Sequence, residues 1–240
     1  MYEQKIRKEL LQWEQSLLKP PGMVEKAAKK LSGKINEKIP ERVHNIITGT
    51  VKGIVKTSLF GAEFTPNEKV SYKVSLADRD KRADEVISLY KKIAAAEGAG
   101  TGAGGILLSV ADFPALIAIK MKMLFQLAHV YGFDTHVESE RLFLLYVFQL
   151  AFSGQDAKPA VYGIVRNWAG RDPLALPKAD SVDWEHFQQQ YRDAIDLRKM
   201  LQMVPGIGAI VGAWANYGLL DELGTAAKNS FRLRRLDTLS

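Results

Sequence analysis

Two long stretches that are rich in glycine and almost free of charge limit most strongly what this chain of 240 residues can fold into. The first runs from Gly98 to Ile119 with Asp112 as its single charged residue, and the second runs from Met200 to Leu220 with none. Each has the length, roughly 20 residues, with which a helix crosses a bilayer. Each also has the glycine, alanine and serine spacing of closely packed helices, so each fits the buried seam of a helical protein equally well.

The composition indicates a folded protein made in a reducing compartment. Hydrophobic residues make up 47% of the chain and charged residues 25%, which argues against disorder as the main state. Cysteine is absent, which excludes disulfides, thiolate catalysis and cysteine-ligated zinc. The first 22 residues alternate charged and apolar side chains and contain no signal-peptide pattern. We therefore expect a cytoplasmic protein, for which peripheral attachment to the inner face of the cell membrane is one alternative.

Apolar residues recur at helical spacing along nearly the whole chain. The predicted helices are 2–18, 23–39, 41–59, 78–97, 114–131, 139–153, 156–169, 184–204 and 221–236. The segments 62–75 and 171–182 are predicted loops, although the first also fits an edge strand. Because strands and helices do not alternate, we predict an all-α, compact multi-helix domain with two glycine-rich apolar helical segments. A basic amphipathic part at 1–60 precedes a helical core at 76–240, and the two form one continuous domain.

The net charge of +6 is located entirely in residues 1–60. Within this part, lysines recur at helical spacing opposite an apolar face; they are Lys26, Lys29, Lys30, Lys34 and Lys38. A solvated helix face over a core stripe is the commoner origin of such a pattern. The functional alternative is a surface that contacts anionic lipid. Nucleic acid is not an expected partner, because no aromatic residues interleave these lysines and no recognition module is visible.

Gly100, Gly102 and Gly105 match the G-x-G-x-x-G pattern of dinucleotide-binding loops. That loop has to follow a strand, whereas the segment before Gly100 has helical periodicity. No acidic residue stands about 20 positions later to hold a ribose, and no lysine follows as a phosphate-binding loop requires. The favoured interpretation is close helix packing, because pairs of glycines four residues apart let helices approach closely. The pairs are Gly98 and Gly102, Gly100 and Gly104, and Gly208 and Gly212.

Asp112 allows two interpretations. An isolated carboxylate in apolar surroundings has a raised pKa and fits an ion, proton or catalytic site. Alternatively, Asp112 caps the helix that follows it, with Pro114 in the first turn, and this is the interpretation that we favour. The same helix is expected to end near Gly132, which suits a left-handed cap.

The sequence suggests no metal and no cofactor. His129 and His136 have carboxylates nearby, but a glycine separates them and no metal-binding spacing occurs. Ser109 lacks the G-x-S-x-G surroundings of a hydrolase nucleophile. No catalytic residue is assigned.

Two separated motifs resemble the EcsC family. They are AEGAGTGAGGILLSVADFPALIAIKMKMLFQLAHVYGFD and VPGIGAIVGAWANYGLLDELGTAAKNSFRLRRL, and the resemblance extends over most of the chain from Ala83 onward. The candidate functional residues in these motifs are Gly100, Gly102, Gly105, Asp112, Pro114, Lys120, Tyr131, Gly132, Pro205, Gly208, Gly212 and Asn216. The family takes its name from a gene beside an ABC transporter in Gram-positive bacteria, and no reaction is established for it. The resemblance therefore implies a link to a transporter and no particular chemistry.

Two hypotheses from different classes remain. The first is a non-enzymatic, peripheral membrane-associated accessory or regulatory protein whose partner is anionic lipid or a membrane protein such as an ABC transporter. The second is a soluble all-α enzyme or small-ligand carrier with a cleft between the two glycine-rich segments. Its site is expected around Asp112, Lys120, Tyr131 and Asn216.

Overall fold

The computed structural model describes residues 1–22, 49, 52–53, 56–57, 64–67, 73–102, 113–169 and 208–238. The helices that it defines are α1 (Tyr2–Leu18), α2 (Leu76–Gly102), α3 (Phe113–Tyr131), α4 (Glu138–Phe152), α5 (Lys158–Arg166) and α6 (Gly208–Asp237). These ranges contain no strand, and the predicted all-α class is confirmed. The predicted helices 23–39, 41–59 and 184–204 and the predicted loop 171–182 lie entirely or almost entirely outside the described residues.

Helix α1 begins and ends where the sequence predicts. Its apolar residues Ile6, Leu10 and Leu17 lie on one side and are buried. The helix ends before Pro20 and Pro21, which cannot donate the backbone hydrogen bonds of a continuing helix. This apolar stripe packs α1 against the hydrophobic core.

Helix α2 is longer at both ends than the predicted span 78–97. It starts two residues earlier because Ser75 caps it: the Ser75 Oγ accepts the backbone N–H of Asp78 at 3.2 Å. It continues beyond Glu97 to Gly102, into the first glycine-rich run. By contrast, α5 is shorter than the predicted span 156–169, since only Lys158–Arg166 is α-helical.

Helices α2 and α6 are not consecutive in the chain, but they pack antiparallel in the most extensive helix interface of the described structure. We call this pair of helices the α2–α6 hairpin. The residue pairs that fix its register are Asp80 with Arg232, Asp84 with Lys228, Ile87 with Gly224 and Lys91 with Asp221. As residue numbers increase along α2, those of their partners decrease along α6, as antiparallel packing requires. A Cβ atom at Gly224 would lie 2.8 Å from two side-chain carbons of Ile87, so glycine is what allows this close approach.

The remaining helices pack around the half of the hairpin nearest the chain's C-terminus. Phe231 of α6 is completely buried at the centre of an aromatic cluster. Its ring centroid lies 5.4 Å from those of Tyr131 and Phe133 and 5.5 Å from that of Phe143. Because these three residues belong to α3, the turn after it and α4, this cluster joins three consecutive segments to the hairpin.

The described parts of the two glycine-rich runs are helical. Glycine costs a helix about 1 kcal/mol per residue relative to alanine, so kinking or fraying is expected unless packing restores the helix. Helix α6 nevertheless runs from Gly208 through Gly212 into the predicted helix 221–236 as one element. Within the described ranges, every helix is too short or too polar to cross a membrane.

Candidate functional site

The most connected group of polar side chains surrounds Asp80, which is 2% exposed. The hydroxyl of Tyr2 donates to one carboxylate oxygen at 2.6 Å, and the hydroxyl of Tyr131 donates to the other. Arg232 donates from Nε to both oxygens, at 3.0 and 3.1 Å, and its Nη2 lies 3.0 Å from Oδ2. One buried carboxylate thus joins α1, α2, α3 and α6, and we call these four residues the Asp80 cluster.

Arg232 has two further partners besides Asp80. Its Nη1 donates to Glu9 on α1 and to Asn229 on its own helix, both at 3.2 Å. The Arg232 side chain is 9% exposed, and a guanidinium so buried is stable only when its donors are satisfied. Helix α1 therefore contributes a partner to each member of the ion pair, Tyr2 to Asp80 and Glu9 to Arg232.

The buried environment shifts the ionisation of the cluster. Burial raises the pKa of the Tyr131 hydroxyl, and the charge of Asp80 raises it further. Burial and the hydrogen bond to Asp80 raise the pKa of Tyr2 to about 12. Burial lowers the pKa of the Arg232 guanidinium, but Asp80, Tyr131 and Glu9 together raise it, and the net shift is upward. At neutral pH the cluster therefore holds two neutral phenols beside an ion pair.

Two more arginines lie at the C-terminal end of α3, where backbone carbonyls lack helical partners. The Arg79 Nη1 donates to the carbonyl of Val130 at 2.6 Å, and the Arg235 Nε donates to the carbonyl of Tyr131 at 2.5 Å. Burial lowers the pKa of Arg79, and the neighbouring Arg82 lowers it further. The two guanidinium groups place positive charge at the negative end of the α3 dipole.

Gly132 ends α3 as the sequence predicts. Its φ is +81°, and it donates its N–H to the carbonyl of His129 at 2.9 Å. Phe133 donates to the carbonyl of Ala128, also at 2.9 Å. This pair of bonds is the Schellman arrangement, which needs a residue that tolerates a positive φ. The turn that follows directs Phe133 into the aromatic cluster around Phe231.

Arg234, also on α6, forms a second buried ion pair. Its Nη1 and Nη2 each donate to a different carboxylate oxygen of Glu140 at 2.7 Å. The guanidinium carbon lies 3.9 Å from the ring centroid of Phe133 and 4.4 Å from that of Phe143. The basic tail Arg232 to Arg235 is thus part of the core and not a free cationic patch.

Two surface clefts adjoin the Asp80 cluster. One, of about 680 Å³, follows α2, and Tyr2, Asp80 and Asp84 contribute to its lining. The other, of about 300 Å³, lies between α1, α2 and α6, and Asp84 and Arg232 contribute to its lining. Asp84 borders both clefts, whereas Asp80 borders only the first and Arg232 only the second. Both are lined by acidic and basic side chains together, so neither has the single charge that would select an anion or a cation.

The structure brings together only some of the predicted site residues. Tyr131 belongs to the Asp80 cluster, and Gly132 directly follows it at the end of α3. Lys120 is equally buried but lies elsewhere on α3, with its Nζ 5.1 Å from the ring centroid of Phe152. Pro114 is exposed in the first turn of α3, as predicted. Lys120 and Tyr131, expected to share one cleft, are 11 positions apart on one helix.

Other predicted residues are described partly or not at all. Gly100 and Gly102 lie in the last turn of α2, Gly208 begins α6, and Gly212 and Asn216 follow within it. The residues outside the described ranges are Gly105, Asp112, Pro205, Lys26, Lys29, Lys30, Lys34 and Lys38. The capping role of Asp112, the cleft between the glycine-rich segments and the cationic face at 23–39 therefore stay predictions.

The histidine region forms a local turn. The Asp134 carboxylate accepts the backbone N–H of His136 at 2.9 Å and lies 2.7 Å from its ring Nδ1. These two contacts, the backbone N–H first, lower the pKa of Asp134. In the part of the chain that the structure describes, no three His, Asp or Glu side chains are grouped as metal ligands would be.

Sequence reasoning missed Arg79 and Asp80 as members of the site. A signal was present: Leu76, Asp80, Ala83 and Ile87 are spaced by four, three and four residues. A carboxylate therefore occupies the apolar stripe of α2, where a charge is rare unless it is paired. Its partner is separated by 152 positions in the chain and follows only from the hairpin register.

Comparison with known proteins finds a family and relatives that match almost the whole chain. The family model described as the EcsC protein family matches residues 4–236. Protein EcsC of Bacillus subtilis is 44% identical over 233 residues, which cover 97% of this chain and 96% of that protein. The uncharacterized protein YdbA of the same organism is 26% identical over 164 residues, covering 68% of this chain and 60% of YdbA. No solved structure matches the chain. The chain belongs to the EcsC protein family.

Proposed function

We propose that this protein is a non-enzymatic, peripheral membrane-associated accessory protein that works with an ABC transporter. The observation that carries the proposal is the division of the α2–α6 hairpin into two parts of opposite character. The hairpin base, 76–97 of α2 and 217–237 of α6, is held by ion pairs. The hairpin end, 98–102 of α2 and 208–216 of α6, contains no charged residue.

Among the ion pairs named above between α2 and α6, the Lys91–Asp221 pair lies nearest to the hairpin end. The Asp84 carboxylate and the Lys228 Nζ are 2.5 Å apart, and two turns further along α2 the Lys91 Nζ lies 2.5 Å from the Asp221 carboxylate. The Lys91 Nζ also lies 4.1 Å from the ring centroid of Tyr217. Continued at the same register, the last turn of α2 lies beside the first turns of α6, where glycine, alanine and apolar residues predominate. Such a surface enters the interfacial region of a bilayer at low cost.

The sequence on both sides of the hairpin end extends its character. Residues 103–111, which follow α2, and residues 200–207, which precede α6, also lack charge. The uncharged segments of the chain are therefore longer than the two helix ends alone. Exposed apolar side chains occur where the ion-paired base meets this end, at Leu89, Ile93 and Tyr217. Contact of the hairpin end with a bilayer, together with basic residues elsewhere in the chain, supports attachment without a spanning helix.

The chemistry of the Asp80 cluster supports a non-enzymatic role. Its carboxylate, phenols and guanidinium bond to one another, and Asp80 and Tyr131 are 2% exposed or less. A catalytic group has to reach the atoms of a substrate. These side chains instead hold α1, α2, α3 and α6 in one arrangement, which is what a binding protein requires of its scaffold.

The link to an ABC transporter comes from the family. A membrane-bound accessory protein meets a transporter by diffusion in two dimensions, and the hairpin provides the attachment that this requires. Membrane attachment and transporter binding can be tested by separate experiments.

Membrane attachment is tested by fractionating cells that express the untagged protein and washing the membranes with high salt and then with alkaline carbonate. We expect recovery in the membrane pellet and release by one of the washes. Recovery in the cytosolic fraction alone overturns the proposal. An Ile210→Glu variant, which places a charge in the hairpin end, is expected to leave the pellet. A Val137→Glu variant is the control, because Val137 is an exposed apolar residue outside the hairpin.

The transporter link is tested by cross-linking in cells, purifying the protein from washed membranes and identifying attached chains by mass spectrometry. We expect enrichment of an ATPase or membrane subunit of an ABC transporter, and loss of that enrichment with Ile210→Glu. Efficient membrane recovery with no transporter subunit attached would reject the accessory role while leaving membrane attachment intact.

A further inference from the structure

Helix α1 has an outward face with an unusual combination of side chains. The face consists of Gln4, Lys8, Leu11, Gln15 and Leu18, which are spaced by four, three, four and three residues and therefore form one stripe along the helix. All five are exposed, and the two leucines are 58% and 47% exposed. A single exposed leucine is ordinary, whereas two on one stripe, separated by two turns, give a linear apolar contact.

Around this stripe, the exposed charged residues are mainly basic. The exposed basic residues of α1 and its C-cap are Lys5, Arg7, Lys8 and Lys19, and Glu3 is the exposed acidic residue among them. Glu9 and Glu14 are half-buried, and Glu9, whose side chain is 39% exposed, pairs with both Arg232 and Lys5. The acidic residues of α1 lie outside the stripe, which therefore combines two leucines, two glutamines and one lysine.

The inner side of α1 is fixed, so its outward face cannot turn inward. Ile6, Leu10 and Leu17 are buried, and the Trp13 ring meets the Tyr162 ring edge to face with centroids 5.8 Å apart. At the C-terminal end, the Gln155 side chain donates to the carbonyls of three residues, Ser16, Leu17 and Lys19. Anchoring at both ends leaves the leucine stripe with no place in the protein's own core.

We propose that the outward face of α1 lies flat on a bilayer surface containing anionic phospholipid. This rests on the proposed membrane attachment and adds a second, cationic contact to the uncharged hairpin end. Leucines of a fixed surface helix enter the acyl boundary while lysine stems extend toward the phosphates. Lipid is favoured over an acidic protein because the stripe has no pocket or aromatic anchor of the kind that protein interfaces use. The chain continues from α1 into Lys26, Lys29 and Lys30, which extends the same charge.

Binding to vesicles tests this proposal with the full-length protein. The vesicles contain 30% phosphatidylglycerol in phosphatidylcholine, or phosphatidylcholine alone, and binding is measured by co-flotation. The apolar variant is Leu11→Gln with Leu18→Gln, and the charge variant is Arg7→Gln with Lys8→Gln. Val137→Gln is the matched control, since Val137 is 49% exposed and lies outside α1. Melting temperatures establish that all variants are folded.

We expect each α1 variant to bind the anionic vesicles about tenfold more weakly than the natural protein, and Val137→Gln to bind within about twofold of it. The charge variant should also show a weaker dependence on salt. If the natural protein binds and both α1 variants bind equally well, the role of α1 is wrong while membrane attachment stands. If the natural protein binds neither vesicle, membrane attachment fails as well. If the variants instead change the mass of the protein in solution, the face is a contact between copies.

Discussion

Arg235 occupies the space that a side chain at Gly132 would need. A Cβ atom there would lie 2.0 Å from the Nη2 of Arg235 and 3.0 Å from the Nη1 of Arg79. Both arginines bind the last carbonyls of α3, so this glycine serves two purposes. It supplies the positive φ of the helix cap, and it leaves room for the two guanidinium groups that cover the end of the helix.

We expect Gly132→Ala to destabilise the protein by at least about 1–2 kcal/mol, because alanine at a positive φ alone costs that much. Displacement of Arg235 from the carbonyl of Tyr131 adds to the loss. The measurement is urea unfolding followed by circular dichroism. Gly163→Ala is the control: Gly163 lies within α5 with nothing within 4 Å of its Cβ position, and alanine there should leave the protein equally or more stable. Equal stability of the two variants would show that the cap is not under this constraint.

The close approach of α2 and α6 predicts a second glycine effect. Gly224→Ala places a methyl group 2.8 Å from Cγ1 and Cγ2 of Ile87, and a β-branched side chain cannot rotate away. We expect a loss of about 1–3 kcal/mol from overpacking. In the double variant with Ile87→Ala, the methyl group gains room, so the combined loss should be smaller than the sum of the two single losses. Additive losses in the urea-unfolding cycle would contradict this helix separation.

The sequence predicted the helices that have a clear apolar stripe. For α1, the spacing of Ile6 and Leu10 and the stop at Pro20 set both ends correctly, because local patterns alone decide them. The end of α3 at Gly132 followed from the same kind of local signal. The ends of α2 were missed because capping by Ser75 and packing against α6, and not propensity, extend the helix.

The candidate site was predictable only in part. Tyr131 was identified through the family motif, but its hydroxyl partner Asp80 is 51 positions away, and the sequence pattern does not contain that pairing. Lys120 was predicted to border one cleft with Tyr131, and that cleft stays a prediction. The two residues are 11 positions, about 16 Å, apart along α3. The pairing of Tyr131 with Asp80 and Arg232 depends on how the helices pack in space, which the motif does not contain.

The Asp80–Arg232 pair is expected to contribute far more to stability than its neighbour one turn along. Asp80→Asn leaves a buried guanidinium without its main counter-charge, and loss of one member of a buried pair costs about 3 kcal/mol or more. Asp84→Asn is the matched control, because Asp84 also pairs with an α6 cation but its side chain is 64% exposed. That change should cost less than about 1 kcal/mol. Urea unfolding of both variants gives the comparison, and equal losses would refute the structural role of the Asp80 cluster.

High pH should weaken the attachment of α1 through Tyr2. Burial and Asp80 raise the pKa of Tyr2 to about 12, above the value of about 10 for an unfolded tyrosine. A folded-state pKa above the unfolded value means that the protonated phenol stabilises the fold below pH 10, and that this contribution is lost as the pH rises from 10 to 12.

The Tyr2→Phe variant removes the phenol hydroxyl and is the reference for this effect. At pH 7 it should cost about 1 kcal/mol for the lost hydrogen bond, and the stability difference from the natural protein should shrink between pH 10 and 12. Unfolding of the two proteins at matched pH values separates this effect from lysine ionisation, which both proteins share. A difference that stays constant up to pH 12 would show that Tyr2 does not ionise from the bonded position beside Asp80.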